Sequence, residues 1–415
     1  GTFSVGQNIT LTMTISNTGA TNAVNVAPVL PLNRVGTGNA SFVSGPLPAS
    51  QAIPAGAFGS YTWIYTATAA GSLGYNGKAQ GQDIRTGFAY QSVTATSNQV
   101  NIEVPPVLAS AITIQGDTLN LGQATNVYMT VTNNGTADAL NVSPGDIYVV
   151  NPPSTGGMWA TEGSSPLAQN IPAGEARVFT WTYSATAVGS VALSGNASGF
   201  DENSGIKVSS AMSASKYIQV QLPMQLSASI NALPSDVKTG QPITVYVTAN
   251  NTGGAAASNV VPSALILGGT GNAAYVSGPV PVSAALINGG SSFTFAYVYD
   301  SSAPGAVNFT GTVSADDFNT GAPQVTGAVV SNNVNITDSA YLASDTSVSR
   351  TVVSTGQLIT VIMTVTNEGT AATNGDVVPA VQAILTGGAI TALSQAVTST
   401  ALASGATALF TWVYN

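Results

Sequence analysis

The chain consists of four copies of one sequence unit, and this repetition constrains its fold more than any other feature. Three markers recur in the same order at steps of about 116 residues, which indicates a repeat architecture. A Gly-Gln marker lies at Gly6-Gln7, Gly122-Gln123, Gly240-Gln241 and Gly356-Gln357. An Asn-x-Gly marker follows at Asn17-Thr18-Gly19, Asn133-Asn134-Gly135, Asn251-Thr252-Gly253 and Asn367-Glu368-Gly369. An aromatic segment closes the series at Tyr61–Tyr65, Phe179–Tyr183, Phe295–Tyr299 and Phe410–Tyr414.

Within each unit, apolar residues alternate with polar ones at a period of two. Ile9, Leu11, Met13 and Ile15 alternate with threonines, and Ile359, Val361, Met363 and Val365 repeat the pattern. This period is typical of a β-strand with one buried face. About seven such segments per unit, separated by Gly, Asn and Pro at roughly ten-residue spacing, predict an all-β fold of tandem Ig-like β-sandwich domains in series.

The markers also place the domain boundaries. We expect repeat 1 at residues 1–104, repeat 2 at 105–222, repeat 3 at 223–338 and repeat 4 at 339–415. By alignment of the units, repeat 1 lacks its first strand and repeat 4 lacks its C-terminal strands. We therefore expect either a longer polypeptide or strand donation from a neighbouring chain. Units of this length also predict an extra strand or a long loop near residues 28–50.

The aromatic segments are the expected centre of each core. Three rings on one face of a strand bury about 150–250 Å² each, and each Å² of buried apolar surface stabilises the fold by about 25 cal/mol. The alternative is an exposed platform that binds carbohydrate, but rings that recur in every alternating strand are more often core. The residues predicted to be mostly buried are Leu11, Met13, Trp63, Tyr65, Val127, Met129, Trp181, Tyr183, Val245, Tyr297, Val361 and Trp412.

Composition excludes several classes of function. The chain has no histidine and no cysteine, so a Ser-His-Asp triad, a Cys-His pair and thiolate or imidazole metal sites are absent. Adjacent carboxylates such as Asp316 and Asp317 point to opposite faces of a strand. Eight Lys and Arg residues are too few to neutralise a nucleic-acid backbone. No apolar run is long enough to span a membrane as a helix. We predict a protein that is not an enzyme, with no catalytic, cofactor-binding or metal-binding residues.

A recurrent acidic loop is the strongest candidate for chemistry. Asp83–Gly87, Asp201–Gly205 and Asp317–Gly321 are in register after the sixth strand. Spaced oxygen ligands suit calcium, but Arg85 takes one ligand position and no bidentate Glu follows. A hairpin turn, with an Asx-turn at Asp and a positive φ at Gly, is the favoured interpretation. Eight asparagines also precede x-Ser/Thr and allow N-glycosylation, namely Asn8, Asn39, Asn134, Asn141, Asn196, Asn250, Asn308 and Asn335.

The markers resemble the CARDB and DUF11 type of repeat in bacterial and archaeal surface proteins. The resemblance covers essentially the whole chain and is carried by Gly356–Gly369, Ile171-Pro172-Ala173-Gly174 and Phe179–Tyr183. It implies an Ig-like sandwich in long extracellular prokaryotic proteins with structural or adhesive roles.

Two functions fit this pattern. The favoured one is an extracellular or cell-surface structural protein whose repeats build a filament, stalk, sheath or surface layer and associate into a polymer or lattice. Its charged residues are few, 6% of the chain, so lateral contacts need little desolvation of charge. The alternative is an adhesin or glycan-binding module, for which one repeat should carry an exposed cluster that the others lack. Met158-Trp159, in a Gly/Pro-rich loop, is the candidate for such a cluster.

Overall fold

A computed structural model describes residues 1–150, 155–160, 166–379, 392–396 and 401–415 of the chain. Every regular element in these ranges is a β-strand, so the fold is all-β, as predicted. None of the described ranges contains a helix of the length and apolarity that crossing a bilayer requires. The chain divides into two compact units, Gly1–Gln221 and Leu222–Asn415.

The first sequence repeat forms three sheets. In one, β2, β7 and β5 are neighbours; in the second, β1, β12, β8 and β11 follow one another and β4 also pairs with β8; in the third, the order is β10, β9, β3, β6. The strands are β1 (Thr2–Ser4), β2 (Asn8–Ser16), β3 (Ala23–Pro28), β4 (Asn33–Val35), β5 (Asn39–Leu47), β6 (Gln51–Ile53), β7 (Phe58–Ala69), β8 (Gly71–Gly77), β9 (Ala79–Asp83), β10 (Ala89–Gln91), β11 (Ala95–Thr96) and β12 (Val100–Glu103).

The second repeat has the same pairing scheme with an added first strand. Its sheets run β13-β15-β20-β18, β14-β26-β21, β19-β16-β23-β24 and β17-β22-β25. The strands are β13 (Leu108–Ile114), β14 (Thr118–Asn120), β15 (Ala124–Asn133), β16 (Ala139–Pro144), β17 (Tyr148–Val149), β18 (Gly157–Ala160), β19 (Gln169–Ile171), β20 (Ala176–Ala187), β21 (Gly189–Val191), β22 (Leu193–Gly195), β23 (Ala197–Asp201), β24 (Lys207–Ser209), β25 (Ser213–Ala214) and β26 (Ile218–Gln221).

The third repeat belongs to the second compact unit. Its sheets run β27-β29-β34-β32, β28-β39-β35-β31 with β38 paired to β35, and β33-β30-β36-β37. The strands are β27 (Leu226–Leu233), β28 (Asp236–Lys238), β29 (Pro242–Asn251), β30 (Ala257–Pro262), β31 (Ile266–Gly269), β32 (Asn272–Val280), β33 (Ala284–Ile287), β34 (Ser291–Ala303), β35 (Gly305–Gly311), β36 (Val313–Asp317), β37 (Pro323–Val325), β38 (Val329–Val330) and β39 (Val334–Thr337).

The described part of the fourth repeat forms one sheet, in the order β40-β41-β43-β42. Its strands are β40 (Leu342–Val348), β41 (Ile359–Asn367), β42 (Ala392–Ala396) and β43 (Thr407–Tyr414). Residues 373–378, which correspond to β16 and β30, form no extended strand and contain one isolated bridge residue, Val377. The sheet repeats the register of the other copies, with Val361 opposite Trp412 and Met363 opposite Phe410.

The described residues form four hydrophobic clusters, each drawn from one sequence repeat. In the third repeat, Val245 of β29, Phe309 of β35 and Val260 of β30 are all fully buried, so one core joins the three sheets. Of the twelve residues expected to be buried, nine are, while Leu11, Met13 and Trp181 are half-buried against the same cores. The core prediction is confirmed with these three exceptions.

The alternating strands behave as their sequence predicts. In β2 the threonines Thr10, Thr12 and Thr14 are exposed, while Ile9 opposite Tyr65 is buried. In strands β7, β34 and β43, the central rings of the recurrent aromatic segments point inward. Tyr61, Trp63, Phe295, Tyr297, Phe410 and Trp412 are each at most 2% exposed. The recurrent aromatic segments are therefore core rather than a carbohydrate platform.

One prediction about where strands form is wrong. Part of the predicted Gly/Pro-rich loop, Gly157–Ala160, is strand β18 and pairs with β20, because its residues continue the sheet at the outer edge of the aromatic strand. The extra element expected near residues 28–50 consists of strands, β4 and β5. Among the described residues, β2 pairs only with β7, whereas β15 and β29 each have two neighbours. A cavity of about 450 Å³ borders the C-terminal end of β2, and its lining includes Ile15, Val26 and Asp83.

Candidate functional site at the contacts between repeats

Hydrogen bonds join the end of the first repeat to the second. The carbonyl of Val104, the residue after β12, accepts from the backbone N–H groups of Thr136 at 3.1 Å and Ala137 at 3.0 Å. The N–H of Val104 in turn donates to Thr136 Oγ1 at 2.7 Å. Because these bonds tie a connecting segment to a turn of the next repeat, they limit the freedom of the connection.

The same contact recurs in the second compact unit. Leu222, 118 residues after Val104, accepts through its carbonyl from the N–H of Ala255 at 2.8 Å. Asp338, a further 116 residues on, donates its N–H to Thr370 Oγ1. Thr370 and Thr136 occupy the same position in their repeats, directly after the Gly of the Asn-x-Gly marker. Each connecting segment is thus held by the turn of the repeat that follows it.

A second contact in the first compact unit comes from the acidic turn of the second repeat. Asn203 donates through Nδ2 to Glu103 Oε2 at 2.9 Å and to Ser4 Oγ at 3.3 Å. Its carbonyl accepts from Gln7 Nε2 at 3.0 Å. Ser4 is only 1% exposed, so Asn203 covers polar groups at the end of the first repeat.

The acidic turn itself has one geometry in three repeats. Oδ1 of Asp83, Asp201 and Asp317 accepts backbone N–H groups two residues ahead, at 2.7, 3.2 and 3.0 Å. The glycine that closes each turn, Gly87, Gly205 or Gly321, has a φ of about 70°, in the left-handed region that glycine adopts most readily. The turn joins β9 to β10, β23 to β24 and β36 to β37 as an antiparallel hairpin. The interpretation of these motifs as Asx-turns in hairpins is confirmed.

The second carboxylate oxygen has a different partner in each copy. Oδ2 of Asp83 accepts from Thr21 Oγ1 at 2.5 Å, Oδ2 of Asp201 from Ser204 Oγ at 2.5 Å, and Oδ2 of Asp317 from the N–H of Met224 at 2.8 Å. The Thr21 hydroxyl, followed by the N–H groups of Thr86 and Arg85, lowers the pKa of Asp83 to about 2.

No grouping of three or more acidic residues able to hold a metal ion occurs in the part of the chain that the structure describes. Both oxygens of each turn carboxylate accept hydrogen bonds from N–H or O–H donors, and Asp201 and Asp317 are at most 5% exposed. This arrangement suits a structural tie. In contrast to these buried aspartates, all eight asparagines of the candidate glycosylation sequons are exposed or half-buried.

The structure describes only part of the loop that was the candidate for an exposed cluster in the second repeat. Met158 is buried, at 4% exposure, and packs in the core of that repeat. The side chain of Trp159 lies outside the described part of the structure, as do residues 151–154 and 161–165. Met158 is therefore a core residue rather than part of an exposed cluster.

Sequence reasoning did not identify Asn203, Gln7 or Val104 as contact residues. The Gly-Gln marker could have indicated Gln7, because its side-chain carbonyl also accepts the N–H of Ser4, as Gln241 does for Lys238. No signal marks Asn203, since the second position after the aspartate is Arg85 in one copy and Asn in two. Its role depends on which residues of another repeat lie opposite.

Comparison with known proteins adds little to this picture. No family model matches the chain, and no curated protein matches its sequence. The C-terminal domain of the antigen I/II-family protein AspA from Streptococcus pyogenes is similar over 55% of this chain and 99% of that domain, at 9% identity and a TM-score of 0.21. The secreted serine protease VesC from Vibrio cholerae matches 53% of this chain and half of its own length, at 10% identity and a TM-score of 0.16. Similarity at this level carries no argument about function.

Proposed function

We propose that this protein is an extracellular or cell-surface structural protein, made of Ig-like β-sandwich domains in series at residues 1–104, 105–222, 223–338 and 339–415. The observation that carries the proposal is the contact of Val104, which recurs at Leu222 and at Asp338. A connection held by the next domain at every boundary suits a protein whose task is to keep a defined spacing. The four separate cores support the division into domains.

The surface supports self-association into a filament, stalk, sheath or lattice. Charged residues make up 6% of the chain, and the described salt bridges are two exposed pairs, Arg177–Glu175 and Lys216–Asp117. Threonine faces such as that of β2 can pack against another copy without removing water from a charge. The CARDB and DUF11 resemblance of the markers favours the same extracellular setting in a prokaryote, without an enzymatic activity.

The test is direct imaging and mass measurement of the full-length chain. We expect negative-stain electron microscopy of the native material, on cells and after purification, to show filaments or a lattice outside the cell. Analytical ultracentrifugation should show assemblies that grow with protein concentration. A chain that stays monomeric at every concentration, and that is absent from the cell surface by immunolabelling, would overturn the proposal.

A further inference from the structure

The first repeat contains a cavity whose lining differs from that of the equivalent region in the third repeat. It measures about 670 Å³, within the usual size of a small-ligand site. Its wall includes the rings of Phe42, Trp63, Tyr65 and Tyr75, and Arg34 lies at its edge. Arg34 is directly opposite Tyr75 in the β4–β8 pairing. No Asp or Glu lines the cavity, so its one formal charge is positive.

The aromatic rings form a continuous surface. Tyr65 stacks on Tyr75 with ring centroids 4.7 Å apart, and Phe42 meets Tyr65 edge-on at 5.9 Å. Tyr65 and Tyr75 are each 8% exposed, whereas Phe42 is 58% exposed and offers its ring to a ligand. Such an exposed aromatic face beside polar groups suits a partner with one apolar face and several hydroxyls.

Several polar groups of the cavity are unused by the protein. Neither the Tyr65 nor the Tyr75 hydroxyl has a hydrogen-bond partner among the described residues. Burial, with the neighbouring Tyr65 as a smaller cause, raises the pKa of Tyr75 to about 12, so its hydroxyl remains a donor at neutral pH. Arg34 donates through Nη1 to the carbonyl of Gly38 at 2.5 Å, which fixes the guanidinium and leaves its other donors free.

The third repeat shows that this chemistry is not required by the fold. There Leu267 replaces Arg34 and pairs with Phe309, which replaces Tyr75. Tyr275, the counterpart of Phe42, meets Tyr299 at 5.7 Å, but its hydroxyl is already bonded to the carbonyl of Gly278 at 2.5 Å. In the second repeat Val149 takes the arginine position, opposite Leu193. The arginine and the Tyr75 hydroxyl are thus absent from the second and third repeats, whereas the hydroxyl at the position of Tyr65 also lacks a hydrogen-bond partner within the described ranges in Tyr299 and Tyr414.

We propose that this cavity binds a pyranose ring that carries a carboxylate, such as a hexuronate unit of an acidic polysaccharide. The apolar C–H face of the sugar packs on Phe42, the sugar hydroxyls exchange hydrogen bonds with Tyr65 and Tyr75, and the carboxylate pairs with Arg34. A guanidinium matches the two oxygens of a carboxylate better than any neutral donor, which gives the site its preference for an acidic sugar. The site would attach the structural chain to surface polysaccharide.

The test uses two disaccharides that differ by one carboxylate, cellobiouronate and cellobiose, titrated into the full-length chain by calorimetry. We expect cellobiouronate to bind with a dissociation constant on the order of 1 mM and cellobiose about tenfold more weakly. Arg34→Leu copies the third repeat and should abolish the difference, while Phe42→Ala should weaken both. Tyr275→Ala, the matched control in the third repeat, should leave both affinities unchanged.

The opposite outcomes are equally clear. Failure of cellobiouronate to saturate the chain, equal affinity for the two sugars, or an unchanged preference in Arg34→Leu would each overturn the proposal. Displacement of cellobiouronate by equimolar sodium acetate would also overturn it, since the site would then recognise a carboxylate without the sugar. Loss of binding through misfolding is distinguished by circular dichroism and by Arg34→Lys, which keeps the charge and should retain part of the preference.

Discussion

At the scale of single residues, one amide side chain ties three segments together in every repeat. Asn133 donates through Nδ2 to the carbonyls of Ala137 at 2.9 Å and Ile171 at 3.2 Å, and its Oδ1 accepts from the N–H of Gly135 at 3.0 Å. Asn17, Asn251 and Asn367 make the same bonds. Asn133, Asn251 and Asn367 are at most 1% exposed, and Asn17 is half-buried. The Asn-x-Gly marker therefore specifies a buried polar tie as well as a turn.

We predict that Asn133→Asp lowers the free energy of unfolding of the second repeat by about 2–4 kcal/mol, because a carboxylate cannot donate and would face two buried carbonyls. The neighbouring Asn134→Asp adds the same charge at an exposed position and should change it by less than about 0.5 kcal/mol. Hydrogen exchange of the β15 amides in increasing denaturant measures both. Equal effects of the two variants would contradict the tie.

Asp83 gives a prediction about pH. Its pKa is about 2 in the folded chain against a usual 3.8, because the Thr21 hydroxyl and then two backbone N–H groups favour the ionised form. The unfolded chain therefore binds this proton more readily. The stabilisation is fully present above about pH 4 and is lost as the pH falls toward 2.

Thr21→Ala should raise the pKa of Asp83 toward 3.8, which a carboxyl-carbon NMR titration would measure directly. Alanine occupies the same position in the second and third repeats, at Ala137 and Ala255, so the fold tolerates it. Thr18→Ala, at an exposed position of the same loop, should leave the titration unchanged. An unaltered titration in Thr21→Ala would exclude its hydroxyl as the main cause.

At the scale of elements, the alternation within strand β34 separates core from surface. Phe295 is fully buried and lies opposite Val247, while Thr294 points the other way and shares a 2.9 Å hydroxyl contact with Thr248. We predict that Phe295→Ala lowers the free energy of unfolding of the third repeat by about 3–5 kcal/mol. Thr294→Ala should lower it by less than about 1 kcal/mol. Hydrogen-exchange protection of the β29 amides measures the loss of stability in both variants. Similar losses would show that β34 does not bury one face and expose the other.

The elements also show what could be predicted from sequence. A period of two identifies the long strands β2, β7, β15 and β34, since each carries its own buried face. Strand β18 was predicted to be loop, because Gly157 and its neighbours have no alternation and become a strand only by pairing with β20. The contact of Asn203 with Glu103 joins residues that are far apart in the sequence. The cavity at Arg34 depends on the pairing of β4 with β8. Local pattern carries no information about such partners.

At the scale of the whole molecule, the scarcity of charge determines how copies of the chain can meet. A formal charge of −9 is spread over 415 residues, and the threonine face of β2 is exposed and uncharged. If association rests on such faces, as the proposed function requires, salt has little to screen. We therefore predict that the self-association constant changes less than about threefold between 0.05 and 0.5 M NaCl.

Charges added to the threonine face of β2 should make the self-association depend on salt. In the double variant Thr12→Lys/Thr14→Lys, two ammonium groups must lose water or face like charges on the other copy, so association at 0.05 M NaCl should weaken about tenfold and recover partly at 0.5 M. The matched variant Thr12→Gln/Thr14→Gln also lengthens both side chains but leaves them neutral, and it should associate nearly as the native chain does. Sedimentation velocity at both salt concentrations measures all three proteins. A steep loss of native association with salt would show that its few charged residues, rather than its hydroxyl faces, hold the copies together.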